Sequence, residues 1–377
     1  MPSIIIVRYG ELALKSEPVR RRFEQGLVKS MKRVLGSLKY IIWTERGRIF
    51  VETSSAATAI KRLAKVPGIT SLSLSTRVEA NMNAINLYAV KMARKLLKQG
   101  MSFAVKTNRT GDHSFTSKDV NAEVGTAVLS AVKGLRVDLA EPEVRISVEI
   151  RGDNAYMFSS TVSGIGGLPV GTQGKVMSIF SGARNDFAAA FMMIKRGCTL
   201  FPIFLNPEDG MENQKIKRTV LSAKKLVEFD SAPAIWVFPF KRISNIIKEK
   251  FPKELEFYIL RRCALRAAES IAKRVGAEAI VLGDDARMIT ALGLPDISFI
   301  DSVCKMAVLR PLAGLDDASI KQLVEKAGLG SATGPFLKYH SNIAVFENIQ
   351  NLEREINIEG IIDDDSKRAK SIRLVNT

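Results

Sequence analysis

Residues 178–198 read SIFSGARNDFAAAFMMIKRGC, an apolar strand that runs into a glycine-containing loop and then into a helix. That order of elements is an anion-binding layout, because the first amides of a helix have no intrahelical acceptor and point outward, where a phosphate can take them. Gly182 lets a backbone approach a ligand closely. Its successor Ala183 carries a methyl that restricts positive φ and occupies ligand space. Asp186 suits the start of a helix but repels a phosphate unless a metal lies between them. On the residues alone, a structural strand-to-helix turn and a working phosphate site account for the stretch equally well.

Other reactive residue types are sparse. Cys198, Cys263 and Cys304 lie far apart, and the only histidines are His113 and His340. That spacing excludes a zinc site and a disulfide framework, so no structural metal is expected, and it fits a reducing compartment. Each cysteine falls in or beside an apolar-periodic element and reads as a buried structural thiol. The opening run Ile4–Val7 is broken at once by Arg8, and no apolar stretch approaches the roughly 20 residues of a membrane span. A cytoplasmic protein without membrane contact is the expectation.

Charge points to a partner. The chain has 377 residues, 56 of them Lys or Arg against 39 Asp or Glu, for a net charge of +17. Residues 1–170 carry 26 basic and 14 acidic side chains, against 30 and 25 in 171–377. A basic half of that kind neutralises phosphates on a nucleic acid. The competing reading is solubility, or the Lys-rich habit of a heat-adapted proteome.

The elements that must position these residues fall into three blocks, as the length suggests. The first predicts strand Ile4–Tyr9, a helix from about Pro18 to Leu35, strands Tyr40–Thr44 and Arg48–Glu52, a helix Ala56–Lys65 and a strand Ile69–Ser75, a small ferredoxin-like α+β unit. The second alternates helix 83–97, strand 101–109, helix 117–132 with Ser117 as its N-cap, and two strands across a Gly-Asp turn, again α+β. Five glycines in residues 163–175 mark a linker or domain-joining loop. Beyond Lys175, apolar runs alternate with helical stretches, which predicts a parallel sheet covered on both faces. The charged tail beyond about Phe346 reads as a peripheral strand or a loose end.

The stretches GGLPVGTQGKVMSIFSG and FMMIKRG resemble the junction and phosphate loop of the tRNA 4-thiouridine synthetases, also called tRNA sulfurtransferases or thiamine biosynthesis sulfur-transfer proteins. RYGELALKSEPVRRRFEQGL is similar to their N-terminal opening, and FAVKTNRTGDHSFTSKDVNAEVG to the THUMP RNA-binding domain. ILRRCALRAAESIAKRVGAEAIVLGDD and VLRPLAGLDDASI resemble the later catalytic domain. The resemblance covers nearly the whole chain. It implies an N-terminal ferredoxin-like domain over 1–75, a THUMP domain over 76–165 whose family boundary starts near 60, a glycine-rich junction over 166–174, and an adenine nucleotide hydrolase-like (PP-loop) α/β domain over 175–377, with no rhodanese domain.

The family reaction adenylates a tRNA uridine with ATP and magnesium, after which a sulfur carrier displaces AMP. The resemblance therefore implies ATP, Mg, tRNA, a sulfur donor protein and a homodimer. Its loop reads Ser-Gly-Gly-x-Asp-Ser. Here Ser181 and Gly182 are kept, while Ala183, Asn185 and Asp186 replace Gly, Asp and Ser. Carried over singly, further nucleotide positions fall on Ile179, Phe180, Phe204, Leu205, Arg261, Gly283 and Leu292. After Gly283 the family reads Glu-Ser-Leu-Gly-Gln-Val-Ala-Ser-Gln, against Asp284 to Leu292 here, so both glutamines are apolar. The family's cysteine position lies near His340 and Ser341, neither of which supplies a thiolate.

RNA contacts are expected in the basic half, at Arg20, Arg21, Arg22, Lys106, Asn108, Arg109, His113 and Lys118, positioning a tRNA by shape. Two functions follow. In one, the chain binds tRNA while its ATP and sulfur chemistry is impaired, since losing members of a unit that acts together removes most of the rate. In the other it is an active tRNA sulfurtransferase with a divergent site and an external sulfur donor. A third reading, a basic nucleotide enzyme unrelated to RNA, predicts no tRNA affinity.

Overall fold

The computed structural model describes residues 3–10, 16–45, 47–210, 212–328 and 346–374. His340 and Ser341 lie outside them. The first elements are β1 (Ser3–Tyr9), α1 (Glu17–Leu35), β2 (Tyr40–Glu45), β3 (Arg48–Thr53), α2 (Ala56–Leu63), β4 (Ile69–Glu79), α3 (Met82–Leu96), β5 (Ser102–Thr110), α4 (Ser117–Ala131), β6 (Arg136–Val137), β7 (Val144–Arg151), β8 (Asn154–Phe158) and β9 (Val162–Ser163). The strands form one sheet in the order β2-β3-β1-β4-β8-β7-β5-β6, with β9 on β4. β4 is the hinge of that order: Ser71–Ser75 pair with β1, and Thr76–Glu79 pair with β8. The strand thus runs past Ser75, where the sequence pattern suggested an end.

Alternation of side chains gives this sheet two different faces. On one, Phe103, Ile146, Val148, Ile150 and Met157 meet Ile85, Ala89, Val120 and Val124 of α3 and α4. On the other, Phe50 stacks between Trp43 and Tyr156, with centroids 5.2 and 4.6 Å away. The N-cap of α4 is Thr116, not Ser117: the Thr116 hydroxyl accepts from the Asp119 amide while Asp119 accepts from the Thr116 amide, a reciprocal box that Ser117 is one residue too late to form.

The second unit holds β10 (Lys175–Ile179), α5 (Arg184–Lys195), β11 (Thr199–Asn206), α6 (Gln214–Val227), β12 (Ala234–Pro239), α7 (Lys241–Lys250), α8 (Glu256–Val275), β13 (Ala279–Val281), α9 (Ala286–Asp301), β14 (Ala307–Leu309), α10 (Asp317–Lys326), α11 (Phe346–Glu355), α12 (Ile358–Lys367) and β15 (Lys370–Arg373), and α1 groups with it. Its sheet order is β14-β13-β10-β11-β12-β15, parallel except for β15. The glycine-rich junction is a packed loop: a Cβ on Gly167, at φ +81°, would lie 2.0 Å from the Lys195 carbonyl oxygen.

The tail ends in a peripheral strand, one of the two forms expected of it, while the helix α11 before it is packed inward. β15 pairs along β12, and Glu353 of α11 is buried against α8, where Arg262 and Arg266 each grip it with two hydrogen bonds of 2.8–3.0 Å. Burial alone would lift the Glu353 carboxyl, but the two guanidiniums outweigh it and hold it below its ordinary value. Its charge pattern reads as surface because the partners are 91 and 87 residues away in sequence.

Candidate functional site

In the parallel sheet, β11 and β12 build outward on one side of β10, and β13 and β14 on the other. The order reverses between β10 and β13, which places the crevice of an open α/β sheet at the carboxyl ends of those two strands. Residues 180–183 follow β10 and residues 282–285 follow β13. The two loops touch at Gly283, where a Cβ would lie 2.7 Å from an Asp186 carboxylate oxygen and 3.0 Å from the Asn185 carbonyl carbon. Only glycine permits that approach.

Gly182 is the loop's left-handed residue, at φ +88°. Ala183 sits at φ −67°, ψ 156° and caps α5 without a side-chain bond, so its methyl causes no backbone strain, contrary to the expectation for that position. The interior of the loop is closed by its own chain. The Ser181 amide and hydroxyl both donate to one oxygen of Asp186, at 2.8 and 2.5 Å, and the Ala183 amide donates to the Ser181 hydroxyl oxygen at 3.3 Å. Burial pushes the Asp186 carboxyl above its ordinary value, against the pull of these Ser181 bonds, and the nearby Asp284 adds to the rise.

The facing loop is likewise committed to internal partners. Asn185 donates to Asp285 at 3.1 Å. Asp285 also caps α9 through the Met288 amide at 3.1 Å and takes two bonds from Arg287, at 3.0 and 2.6 Å. Burial would raise the Asp285 carboxyl, yet those donors hold it below its ordinary value. Arg184 pairs with Asp317, which also meets Arg287 at 3.1 Å. Behind them, buried Asp284 is held by Arg261 and by Arg310, the latter at 2.9 Å, and Arg310 continues to Asp301 with two bonds of 2.7 Å. The sequence sets Asp284 against the family only by its letter and assigns no role to Asp301, Arg310 or Asp317; their pairings span up to 133 residues.

Of the remaining nucleotide positions, Ile179 ends β10, and the Phe180 amide donates to the Ile203 carbonyl of β11 at 2.8 Å. Phe204 and Leu205 follow on β11, and Leu292 belongs to the buried apolar core. The cysteines are poor nucleophiles: burial lifts Cys198, and pushes Cys263 up to about 12 and Cys304 up to about 11. No cluster of three metal-ligating side chains occurs among the described residues, and none of the helices described is long and apolar enough to cross a membrane.

The basic candidates separate by environment. On α1, Arg21 pairs with Glu17 at 2.6 Å and Arg20 with Glu24 at 3.8 Å, whereas Arg22 lies over the Phe23 ring. Arg109 donates to Gly111 and to Nδ1 of His113, whose Nε2 donates to the Gly152 carbonyl at 2.8 Å. Those two side chains brace a loop. Lys106 and Asn108 are exposed on the sheet face opposite α3 and α4, and Lys118 is exposed on α4. Arg145, missed in the sequence, shares the Lys106 face: it pairs with Ala104 in the β5–β7 register, one alternation away. The same face carries Glu149, buried among Arg8, Arg48 and Arg151 at 3.2, 2.7 and 3.0 Å.

Comparison with known proteins follows the same order along the chain. Residues 4–73 match the ThiI ferredoxin-like domain, 79–160 the THUMP domain, and 171–332 the thiamine biosynthesis protein (ThiI) model. A probable tRNA sulfurtransferase of Brevibacillus brevis is 34% identical over 321 residues, covering 84% of this chain and 80% of the relative. Another, from Methanocaldococcus jannaschii, is 33% identical over 377 residues, covering 94% and 97%. Among solved structures, a 4-thiouridine synthetase–RNA complex with bound ATP superposes with a TM-score of 0.85 over 100% of both chains, at 22% identity, a likeness of fold. PH1313 from Pyrococcus horikoshii gives 0.70 at 26% identity, covering 87% of this chain and 100% of that one. Two α+β units, ferredoxin-like and THUMP, thus precede an α/β unit as the sequence implied, and the chain belongs to the tRNA sulfurtransferase (ThiI) family.

Proposed function

We propose that this protein binds tRNA through its basic N-terminal half and that its ATP and sulfur chemistry is impaired. The observation that carries the reading is the closure of the loop after β10. The Ser181 amide and hydroxyl are spent on Asp186, so a carboxylate stands where a family loop would present donors to a leaving pyrophosphate. Arg261, the retained family arginine, is engaged by Asp284. These residues do not fit ATP with magnesium in the geometry they adopt. Support for the RNA half comes from Lys106, Asn108, Lys118 and Arg145, exposed in the unit that matches the THUMP domain, and from the RNA in the neighbouring 4-thiouridine synthetase complex.

One observation favours the second reading, an active tRNA sulfurtransferase with a divergent site and an external sulfur donor. A carboxylate is still present 3.1 Å from the Asn185 amide, on Asp285. That group is already consumed by a helix cap and by Arg287, which weighs against its serving a metal or nucleotide. Domains at 1–75, 76–165 and 175–377 joined by 166–174, a homodimer and a cytoplasmic setting complete the proposal. The test is tRNA-dependent release of AMP and pyrophosphate with magnesium, after filter binding establishes that tRNA is held. Tight tRNA binding without AMP supports the proposal, and AMP released only with tRNA overturns it in favour of the active enzyme.

A further inference from the structure

A cavity of about 870 Å³ opens in the second unit at the amino-terminal ends of β11 and β12, between Thr199 of β11 and Pro233, just before β12, on one side and one face of α1 on the other. It lies at the opposite end of the strands from the loop after β10, and so shares no residue with the crevice described above. Among the described residues, four cations line it, Arg22, Lys29, Arg33 and Arg373, with one carboxylate, Asp230. Val170 and Val227 add apolar wall. The size is that of a small-molecule pocket.

Two features shape the walls. Gly26 lies in the interior of α1, where glycine weakens a helix, yet a Cβ there would meet Pro169 and Thr172 at an ordinary 3.8 Å. An alanine would fit; the glycine keeps the wall open. Across the cavity, Asp230 and Ala232 adopt φ of 59° and 57°, a conformation that non-glycine residues adopt at a cost and that recurs at ligand clamps. Asp230 grips Arg33 through both carboxylate oxygens, and Ser30 accepts from the same guanidinium at 3.1 Å. This clamp employs Nε and Nη2 and leaves Nη1 outside it. The Arg33 plane is therefore fixed before any ligand arrives.

We infer that this cavity binds a nucleoside phosphate, its cations taking the phosphates and its valines the base or ribose, supplied either as a free nucleotide or as one nucleotide of an RNA chain. The RNA source rests on the tRNA-binding reading above; the free-nucleotide source does not. The full chain, Gly26→Leu, which fills the cavity, and Lys29→Gln/Arg373→Gln, which strips two cations, are compared for binding of ADP by calorimetry and of a tRNA transcript by filter binding. Gly26→Ala serves as the control for the helix, and thermal melting reports folding. Loss of ADP affinity by about tenfold in both variants supports the free-nucleotide source. No ADP binding, with tRNA affinity reduced about tenfold in both, supports the RNA source. Unchanged ADP and tRNA binding in folded variants overturns the inference, as does an effect of the charge variant alone, which marks a surface field. Native protein that binds ADP in the cavity but no tRNA overturns the tRNA reading and leaves this one standing, and binding of neither overturns both.

Discussion

Ser181 and Asp186 close the loop after β10 upon itself, the amide and hydroxyl of the serine converging on one oxygen of the aspartate at 2.8 and 2.5 Å. The chain supplies its own anion. Because burial sets the Asp186 carboxyl above its ordinary value, its charged form costs more in the folded chain than in the unfolded one. The stabilising contribution of the protonated acid is full below the unfolded value and is lost as pH rises through the folded one. Asp186→Asn retains an acceptor for Ser181 without that loss. In urea unfolding the variant is expected to exceed the native protein in stability at pH 7, with the gap closing as pH falls towards 4. A gap that widens on acidification refutes this.

Restoring the family residue at the neighbouring position is expected to harm the fold. Asn185→Asp sets a second carboxylate where the amide now donates to Asp285 at 3.1 Å. At pH 7 the expected loss is about 1–3 kcal/mol, relieved by Asp285→Ser in the same chain. Equal losses with and without Asp285→Ser would show that the two side chains are not coupled.

Glu353→Gln leaves Arg262, 2% exposed, beside a neutral amide. The expected cost is about 3–5 kcal/mol, measured by denaturant unfolding. In the native protein the lowered Glu353 pKa means that this stability is present above the ordinary carboxylate range and is lost as pH falls through the folded value. The variant should therefore lose less stability between pH 5 and pH 3 than the native chain.

For RNA, the pairing pattern ranks the arginines and lysines. Arg20 and Arg21 are already matched with Glu24 and Glu17, so neutralising them together should leave the salt dependence of tRNA binding nearly unchanged. Lys106→Gln with Arg145→Gln should lower the slope of log affinity against log salt by about 1 per residue. The reverse ranking would move the footprint to α1.

Much of the second unit was legible because its strands are covered on both faces. VMSIF, AIWVFPF and EAIVLG read as apolar runs for the same reason that they form a parallel sheet. The altered loop was legible too, since its letters are contiguous. What those letters mean in space was not. Ala183 needs no positive φ because Gly182 takes the turn. Asp186 reaches back five residues to occupy Ser181, and Asp284, Arg310 and Asp317 join the crevice through bonds between distant segments. Thr116 could have been identified as the α4 cap from Asp119 three positions later. The burial of Glu353 could not, because it looks like surface until Arg262 and Arg266 are placed beside it.

The late position of Glu353 and β15 has a consequence for synthesis. When Arg262 is added to the growing chain, the acid that neutralises it is still 91 residues from being made, on the order of 5–20 s at ordinary elongation rates. Until then the α8 arginine has no burial-competent state, and the outer edge of β12 stands unpaired, a template for any neighbouring chain. A nascent polypeptide stalled in this interval is therefore expected to depend on a chaperone, and release comes when the last strand docks.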